Sequence, residues 1–106
     1  MYMRKILVVE DEDAIREVVA LNLRLAGYEV TEAASAEQAL AVFSPSAGFD
    51  VAVLDIMLPG MNGFSLCETI RRDSASIGII MLSAKTLETD KIKGLSIGAD
   101  DYKIGR

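Results

Sequence analysis

The sequence predicts an α/β domain in which helices cover both faces of a parallel β-sheet. Short apolar runs alternate along the chain with segments whose apolar residues recur at helical spacing, and this alternation is typical of strand–helix–strand units. Several apolar runs are rich in Val and Ile, as expected for strands buried on both faces. The chain has 106 residues, of which 51% are hydrophobic and 25% charged, so we expect residues 1–106 to form one domain.

The first strand and helix are the clearest elements. Ile6–Val9 is a continuous apolar run that predicts a buried strand. Ala14–Ala26 has the periodicity of an amphipathic helix. Asp13 is placed to cap this helix, and Gly27 is placed to end it.

The next elements are shorter. Tyr28–Thr31 predicts a second strand, and Ser35 is placed to cap a helix that runs through Phe43. Residues 44–48 contain Pro, Ser and Gly and predict a loop. Phe49–Leu54 then predicts a third strand, in which Val51–Leu54 is a strongly apolar run that ends at the acid Asp55.

The remaining sequence continues the alternation. Gly63–Arg72 predicts a helix, Ile77–Leu82 a fourth strand, Thr86–Leu95 a further helix and Asp100–Lys103 a fifth strand. In open sheets of this class, functional sites lie beyond the carboxyl ends of the strands. Candidate residues are therefore sought at that edge.

Composition excludes several kinds of chemistry. The chain has no histidine, which removes Ser-His and Cys-His catalysis and histidine-ligated zinc. A net charge of −5 argues against nucleic-acid binding by this chain itself. Cys67 is the single cysteine, no apolar run is long enough to cross a membrane, and no signal-peptide pattern is present. We therefore expect a cytoplasmic location without membrane contact.

Acidic residues collect at the predicted carboxyl edge. Glu10 and Asp11 follow the first strand, and Asp55 follows the third. Two carboxylates about 4 Å apart repel each other by roughly 4 kcal/mol at an effective dielectric near 20, so such a group needs protons or a cation. Oxygen ligands of this kind favour Mg²⁺. Glu12 and Asp13 are explained better by helix capping and by the helix dipole.

Four segments in this order, ILVVEDED, VLDIMLPGMNG, MLSAK and GADDY, resemble the receiver domain of bacterial two-component response regulators. The similarity is strongest to the subfamily that carries winged-helix DNA-binding output domains and functions in transcription regulation. It extends from Lys5 to Tyr102. The resemblance implies a flavodoxin-like, doubly wound sheet of five parallel strands in the order 2-1-3-4-5.

The resemblance also implies a metal site and a phosphorylation site. Asp55 would be the phosphoacceptor and would receive a phosphoryl group from a sensor histidine kinase. Asp11 and Asp55 would ligate Mg²⁺ or Mn²⁺, Glu10 would act through water, and the backbone carbonyl of Met57 would complete the protein's ligands. A carboxylate nucleophile needs no histidine base, so the composition is compatible with this role.

Three further positions match residues of the phosphorylation switch. Ser83 would bond a phosphoryl oxygen, Ala84 would leave room for the incoming group, and Tyr102 would change rotamer on activation. The resemblance implies no enzyme beyond self-catalysed phosphotransfer and autodephosphorylation.

The sequence departs from the family at its C-terminal end. The family's lysine, three residues beyond the tyrosine, is replaced by Gly105, and the final helix of the family is missing after Arg106. The surviving part of the family's dimerisation face is represented by four charged residues, Lys91, Lys93, Asp100 and Asp101. Without the last helix, apolar sheet surface would be uncovered, and this favours a homodimer or a domain-swapped oligomer.

Three functions are compatible with these observations. The first is a receiver that accepts phosphate at Asp55 and switches an interaction surface. The second is a truncated receiver that acts mainly as a binding or dimerisation module with impaired switching. The third is a carboxylate-dependent phosphohydrolase, but that class uses a second acid two residues after the nucleophile, where this chain has Met57.

Overall fold

The computed structural model describes residues 3–58, 60–83 and 101–104, with the backbone alone at positions 45, 83 and 101–104. These residues form five strands and three α-helices, and a short 3-10 helix (Pro45–Ala47) precedes the third strand. In chain order the elements are β1 (Lys5–Val9), α1 (Asp13–Leu25), β2 (Glu29–Ala33), α2 (Ala36–Val42), β3 (Val51–Asp55), α3 (Gly63–Asp73), β4 (Gly78–Ser83) and β5 (Asp101–Ile104).

All neighbouring strands are parallel, and their order in the sheet is β2-β1-β3-β4-β5. This confirms the predicted fold class and strand order. The predicted helix Thr86–Leu95 lies outside the described residues.

Several element ends differ from the expected ones by one or two residues; β3, for example, is Val51–Asp55 rather than Phe49–Leu54. One boundary and one cap differ for clear physical reasons. β2 extends to Ala33 because it pairs with β1 over its whole length, although Glu32 and Ala33 do not extend the apolar run. The prediction that Asp13 caps α1 is wrong. Glu12 occupies the N-cap position without a side-chain capping bond, and the Asp13 carboxylate is instead 2.6 Å from the guanidinium of Arg16.

The two faces of the sheet are covered by different helices. Alternate residues of β1 point in opposite directions, so Leu7 lies in a large buried cluster with residues of α2 and α3. Val8 lies in a smaller cluster, against which Leu23 of α1 packs. Among the residues that the structure describes, no helix combines the length and the apolar character needed to span a bilayer.

Side-chain caps fix the starts of α2 and α3. The Ser35 hydroxyl accepts a hydrogen bond from the backbone N–H of Gln38 at 3.1 Å, which confirms the predicted cap. The Asn62 side chain accepts from the backbone N–H of Ser65 at 2.9 Å. Both caps lie in loops that follow the carboxyl ends of strands, so they help to fix the edge at which the acidic residues meet.

Candidate metal and phosphoacceptor site

The register of the sheet brings three acidic residues together. Val9 of β1 lies opposite Leu54 of β3, so Glu10 and Asp55 follow at the same edge. One carboxylate oxygen from each of Glu10, Asp11 and Asp55 lies within 4.8 Å of the others. The three side chains that the sequence analysis selected as metal ligands therefore form one cluster.

Glu10 is the buried member of this acidic cluster, with 2% of its surface exposed. Burial raises the pKa of Glu10 from its ordinary 4.5 to about 7, and the nearby charge of Asp55 adds to this effect. The Asp11 side chain is exposed and that of Asp55 is half-buried. Burial also raises the pKa of Asp55, and hydrogen bonds from the backbone N–H groups of Met57 and Ile56 oppose the rise.

Two hydrogen bonds hold the backbone and the side chain of Glu10, yet one of its carboxylate oxygens remains unsatisfied. Its backbone N–H donates to the carbonyl of Ala33 at 3.1 Å. Its Oε2 accepts from the backbone N–H of Glu12, also at 3.1 Å. Its Oε1 is buried and, in the part of the chain that the structure describes, has no hydrogen-bond partner. A buried acceptor without a partner is costly, and a bound cation or its coordinated water would remove that cost.

Arg16 contacts the turn between β1 and α1 that carries Glu10 and Asp11, the acidic loop, and the sequence analysis missed this contact. Its Nη1 donates to the backbone carbonyl of Glu10 at 2.8 Å, and its Nε lies 3.4 Å from Oε1 of Glu32 on β2. The hydrogen bond from Arg16 to Asp13 raises the pKa of the guanidinium. The i,i+3 spacing of Asp13 and Arg16 was the available signal, but it indicates a surface pair rather than a contact with the acidic loop.

The loop after β3 holds Asp55 through backbone contacts. The N–H of Ile56 donates to the carbonyl of Leu82 at 3.3 Å, and the N–H of Gly63 donates to the carbonyl of Ile56 at 2.8 Å. The apolar side chains of this loop differ in exposure. Met57 is 62% exposed and Leu58 is buried, whereas Met61 is partly buried and packs against the core.

Gly63 is a second residue whose importance the sequence did not show, since it was placed only as the first residue of a predicted helix. A Cβ atom at position 63 would overlap the carbonyl oxygen of Asp55, and would lie only 2.8 Å from the carbonyl carbon of Asp55 and from Cα of Ile56. These are backbone atoms that no side-chain rotation can move. The close approach of α3 to the backbone of Asp55 therefore requires glycine.

The other predicted site residues are placed only in part. The backbone of Ser83 follows Leu82, which lies opposite Asp55, so Ser83 is at the same edge of the sheet. Tyr102 lies opposite Met81, and Asp101 opposite Ile80, which places both on β5; their side chains are outside the description. The predicted residues outside the described part of the chain are Ala84, Lys91, Lys93 and Asp100.

The donor set fits a hard divalent cation. Its ligand atoms are carboxylate oxygens from two adjacent strand ends, and Mg²⁺ prefers oxygen ligands while it retains several waters. The unpartnered Oε1 of Glu10 is an observation independent of the clustering itself. Both observations favour a cation at the edge between β1 and β3.

Comparison with known proteins identifies the family. The family model for the response regulator receiver domain matches residues 6–103. The chain is 50% identical over 106 residues to the alkaline phosphatase synthesis transcriptional regulatory protein SphR of Synechococcus elongatus, covering 92% of this chain and 41% of that protein. It is 47% identical over 104 residues to the phosphate regulon transcriptional regulatory protein PhoB of Pseudomonas aeruginosa, covering 96% and 45%. The chain thus spans less than half the length of the curated relatives that it matches.

A solved structure supports the same assignment. The response regulator TrrA of Thermotoga maritima, crystallised in complex with Mg²⁺ and a beryllium fluoride, is 36% identical. It superposes with a TM-score of 0.86 over 98% of this chain and 88% of that one. The fold, the sequence match and the acidic edge agree, and the chain belongs to the family of response regulator receiver domains.

Proposed function

We propose that Asp55 accepts a phosphoryl group from a sensor histidine kinase and that its phosphorylation changes a contact surface of the domain. Receiver domains of this kind are phosphorylated by sensor histidine kinases. The observation that carries the proposal for this chain is the cluster of Glu10, Asp11 and Asp55 at the edge between β1 and β3. SphR and PhoB are named as transcriptional regulators, so we place the output of this chain in transcription regulation.

The chemistry assigned to Asp55 is a single displacement. A carboxylate oxygen of Asp55 forms a bond to phosphorus while the bond from phosphorus to the imidazole nitrogen of the donor breaks. The electron pair remains on the imidazole, which then takes up a proton from water. An ionised carboxylate needs no general base, so the chain acts as a phosphoacceptor rather than as an enzyme with turnover, apart from hydrolysis of its own acyl phosphate.

Receiver domains generally bind Mg²⁺ at an acidic site. In this chain we assign its ligands to the carboxylates of Asp11 and Asp55, to Glu10 through water, and to the backbone carbonyl of Met57; Mn²⁺ would bind in the same way. When bound, the ion supplies the positive charge that phosphoryl transfer requires. The residues of the chain contribute by holding their oxygens in place before the phosphodonor arrives.

We assign the response to phosphorylation to the neighbouring strands. The hydroxyl of Ser83 donates to a phosphoryl oxygen, Ala84 leaves space for the group, and Tyr102 changes rotamer. The surface that responds includes Lys91, Lys93, Asp100 and Asp101. Because Gly105 stands at the position of the family's lysine, we expect weaker coupling between phosphorylation and this surface than in relatives that keep the lysine.

The proposal is tested with acetyl phosphate as the donor. Incubation with Mg²⁺ should add the mass of one phosphoryl group to the intact protein, and EDTA should prevent the addition. Asp55→Asn should abolish the adduct. Asp50→Asn is the matched control, because Asp50 immediately precedes β3 and lies at the opposite edge of the sheet; it should leave the adduct intact. An adduct that survives Asp55→Asn would contradict the proposal, and so would a wild-type protein that neither forms the adduct nor binds beryllium fluoride.

A beryllium fluoride experiment tests whether the metal site and Asp55 are correctly arranged, independently of which phosphodonor is used. The TrrA structure contains Mg²⁺ with a beryllium fluoride, and we expect this mixture to bind at Asp55. A bound fluorine signal in ¹⁹F NMR should appear with the wild type and be absent with Asp55→Asn. A bound signal without an adduct from acetyl phosphate would mean that the site is assembled but that this donor is unsuitable.

A second candidate function is self-association, and a stripe of exposed apolar residues on α1 favours it. Val18, Leu21 and Leu25 are 58%, 55% and 76% exposed, and their spacing places them on one side of the helix. Sedimentation equilibrium at micromolar concentration should then show a dimer that Val18→Lys weakens. A monomer in both cases would exclude this function.

A further inference from the structure

We propose that Arg16 is the positioning residue of the metal site: its guanidinium fixes the backbone turn that presents Glu10 and Asp11. The inference rests on the proposed function, since it concerns the same acidic cluster, but it assigns a role to a residue that is neither a ligand nor an acceptor. Arg16 lies on the first turns of α1, and its side chain is only 13% exposed.

Three nitrogens of the Arg16 guanidinium contact three parts of the structure: the acidic loop, the start of α1 and β2. Nη1 donates to the carbonyl oxygen of Glu10 at 2.8 Å. Nη2 lies 2.6 Å from Oδ1 of Asp13, and Nε lies 3.4 Å from Oε1 of Glu32. A planar guanidinium carries its donors in a rigid fork, so these contacts define the position of the Glu10 carbonyl relative to both α1 and β2.

The position of the Glu10 carbonyl controls the metal ligands on either side of it. The peptide that includes this carbonyl joins Glu10 to Asp11, and therefore orients both residues. The same turn places the N–H of Glu12 on Oε2 of Glu10 at 3.1 Å, which leaves Oε1 as the unpartnered oxygen in the cluster. If the carbonyl moved, the direction of Oε1 and the separation of the carboxylates would change together.

A second arginine supports this arrangement from the side away from the acidic cluster. Arg24 places its Nη1 3.1 Å from Oε2 of Glu32 and donates through Nη2 to the carbonyl of Val30 at 3.1 Å. Glu32 is thus held between two arginines, one of which contacts the acidic loop and one of which does not. Arg24 therefore provides a control that shares the Glu32 ion pair but lacks the contact with Glu10.

Positioning and simple charge compensation predict opposite effects on metal affinity. If Arg16 acted only as a positive charge beside the acids, its removal would strengthen the binding of a divalent cation, and lysine would replace it fully. If it acts through its geometry, both Arg16→Met and Arg16→Lys weaken binding. Loss of a residue that orients metal ligands typically costs about tenfold or more in metal affinity.

The test measures Mn²⁺ binding to the intact chain by the electron paramagnetic resonance signal of the free ion, under conditions in which urea titrations show every variant to be folded. We expect the dissociation constant to rise about tenfold in Arg16→Met, and by a smaller factor in Arg16→Lys. It should remain at the wild-type value in Arg24→Met. In the protein without metal, hydrogen exchange at the amide of Glu12 should be faster in Arg16→Met and unchanged in Arg24→Met.

The outcomes that overturn this inference differ from those that overturn the proposed function. Wild-type affinity or tighter binding in Arg16→Met, or equal weakening in Arg16→Met and Arg24→Met, would overturn the positioning role alone. A wild-type protein that binds no Mn²⁺ and accepts no phosphoryl group would overturn both. Weaker Mn²⁺ binding confined to the two Arg16 variants, together with faster exchange at Glu12, supports the positioning role.

Discussion

The residue that precedes β3 and the last residue of β3 are both aspartates, but their environments are opposite. At the amino end, Asp50 accepts a hydrogen bond from the backbone N–H of Lys5 at 2.8 Å and lies 3.9 Å from the guanidinium of Arg4. At the carboxyl end, Asp55 lies among other carboxylates, and no ion pair to it is found among the residues that the structure describes. Both acids accept backbone hydrogen bonds, but Asp50 also lies near a cation, whereas Asp55 is held close to charges of its own sign.

The difference shows which of the two acids the fold requires. Asp50 also links three strands through its backbone, since its N–H donates to the carbonyl of Lys5 and its carbonyl accepts from the N–H of Gly78. The Asp55 carboxylate also accepts hydrogen bonds from backbone N–H groups, but burial outweighs them and raises its pKa, so that the charged form is disfavoured. An acid whose charged form the fold disfavours is consistent with the phosphoacceptor role that we propose for Asp55.

The largest expected change in stability comes from substituting a glycine that lies near one of the two acids. Gly63→Ala would place a Cβ against backbone atoms of Asp55 and Ile56, and we expect it to lower the free energy of unfolding by about 3 kcal/mol or more. Gly48, two residues before Asp50, has a φ of +80°, and an added Cβ would have its nearest contact 4.0 Å away. Gly48→Ala should therefore cost only the left-handed backbone strain, about 1 kcal/mol. Urea unfolding measures both, and equal losses would contradict the packing argument.

Substitution of Asp50 and of Asp55 by alanine should change the free energy of unfolding in opposite directions. Asp50→Ala leaves the N–H of Lys5 without its acceptor, so we expect a loss of about 2 kcal/mol in the free energy of unfolding. Asp55→Ala removes a half-buried charge from an acidic cluster, so the metal-free protein should gain roughly 1 kcal/mol. Urea unfolding in EDTA provides the comparison. A destabilised Asp55→Ala protein would mean that the Asp55 carboxylate contributes to the fold.

The acidic edge should also make stability depend on pH. The pKa of Glu10 rises from 4.5 to about 7 on folding, so the folded protein binds more protons than the unfolded chain between these values. The free energy of unfolding of the metal-free protein should therefore decrease as pH rises through this range, by at most about 1.4 kcal/mol for each pH unit from this residue. The raised pKa of Asp55 acts in the same direction.

Urea titrations at several pH values in EDTA measure this slope. Glu10→Gln should flatten it, while Glu17→Gln, on the exposed surface of α1, should leave it close to that of the wild type. If the free energy of unfolding of the wild type instead rose between pH 5 and pH 7, and Glu10→Gln showed the same rise, groups other than Glu10 would control the pH dependence of stability.

The alternation of strands and helices predicted a parallel sheet, and the meeting of Glu10, Asp11 and Asp55 follows from where its strands end. The strand order came from the resemblance to receiver domains. The sequence did not predict the contact of Arg16 with the Glu10 carbonyl, which depends on the geometry of the turn between β1 and α1. It did not predict the role of Gly63 either. A glycine required by close packing has the same appearance in a sequence as one required by a turn, and only the distance to the backbone of Asp55 distinguishes them.

The smallest expected change in stability concerns two N-cap residues, one before the 3-10 helix that precedes β3 and one before α3, which follows it. Asn62 caps α3 through the N–H of Ser65, so Asn62→Ala should lower the free energy of unfolding by about 1 kcal/mol. Ser44 holds the equivalent position before the 3-10 helix, but it makes no side-chain capping bond, and its hydroxyl is paired with that of Ser46. Ser44→Ala should therefore change stability by less than about 0.5 kcal/mol.

Urea unfolding of both variants, combined with the beryllium fluoride titration, shows whether the Asn62 cap also matters to the phosphoacceptor site. Because α3 starts against the backbone of Asp55, a frayed first turn in Asn62→Ala should weaken binding of the fluoride complex as well as stability. Ser44→Ala should leave both unchanged. If Asn62→Ala lost stability but kept full binding, the first turn of α3 would act as a support for the fold alone, and the rigidity of the Asp55 end would arise from the Gly63 contact.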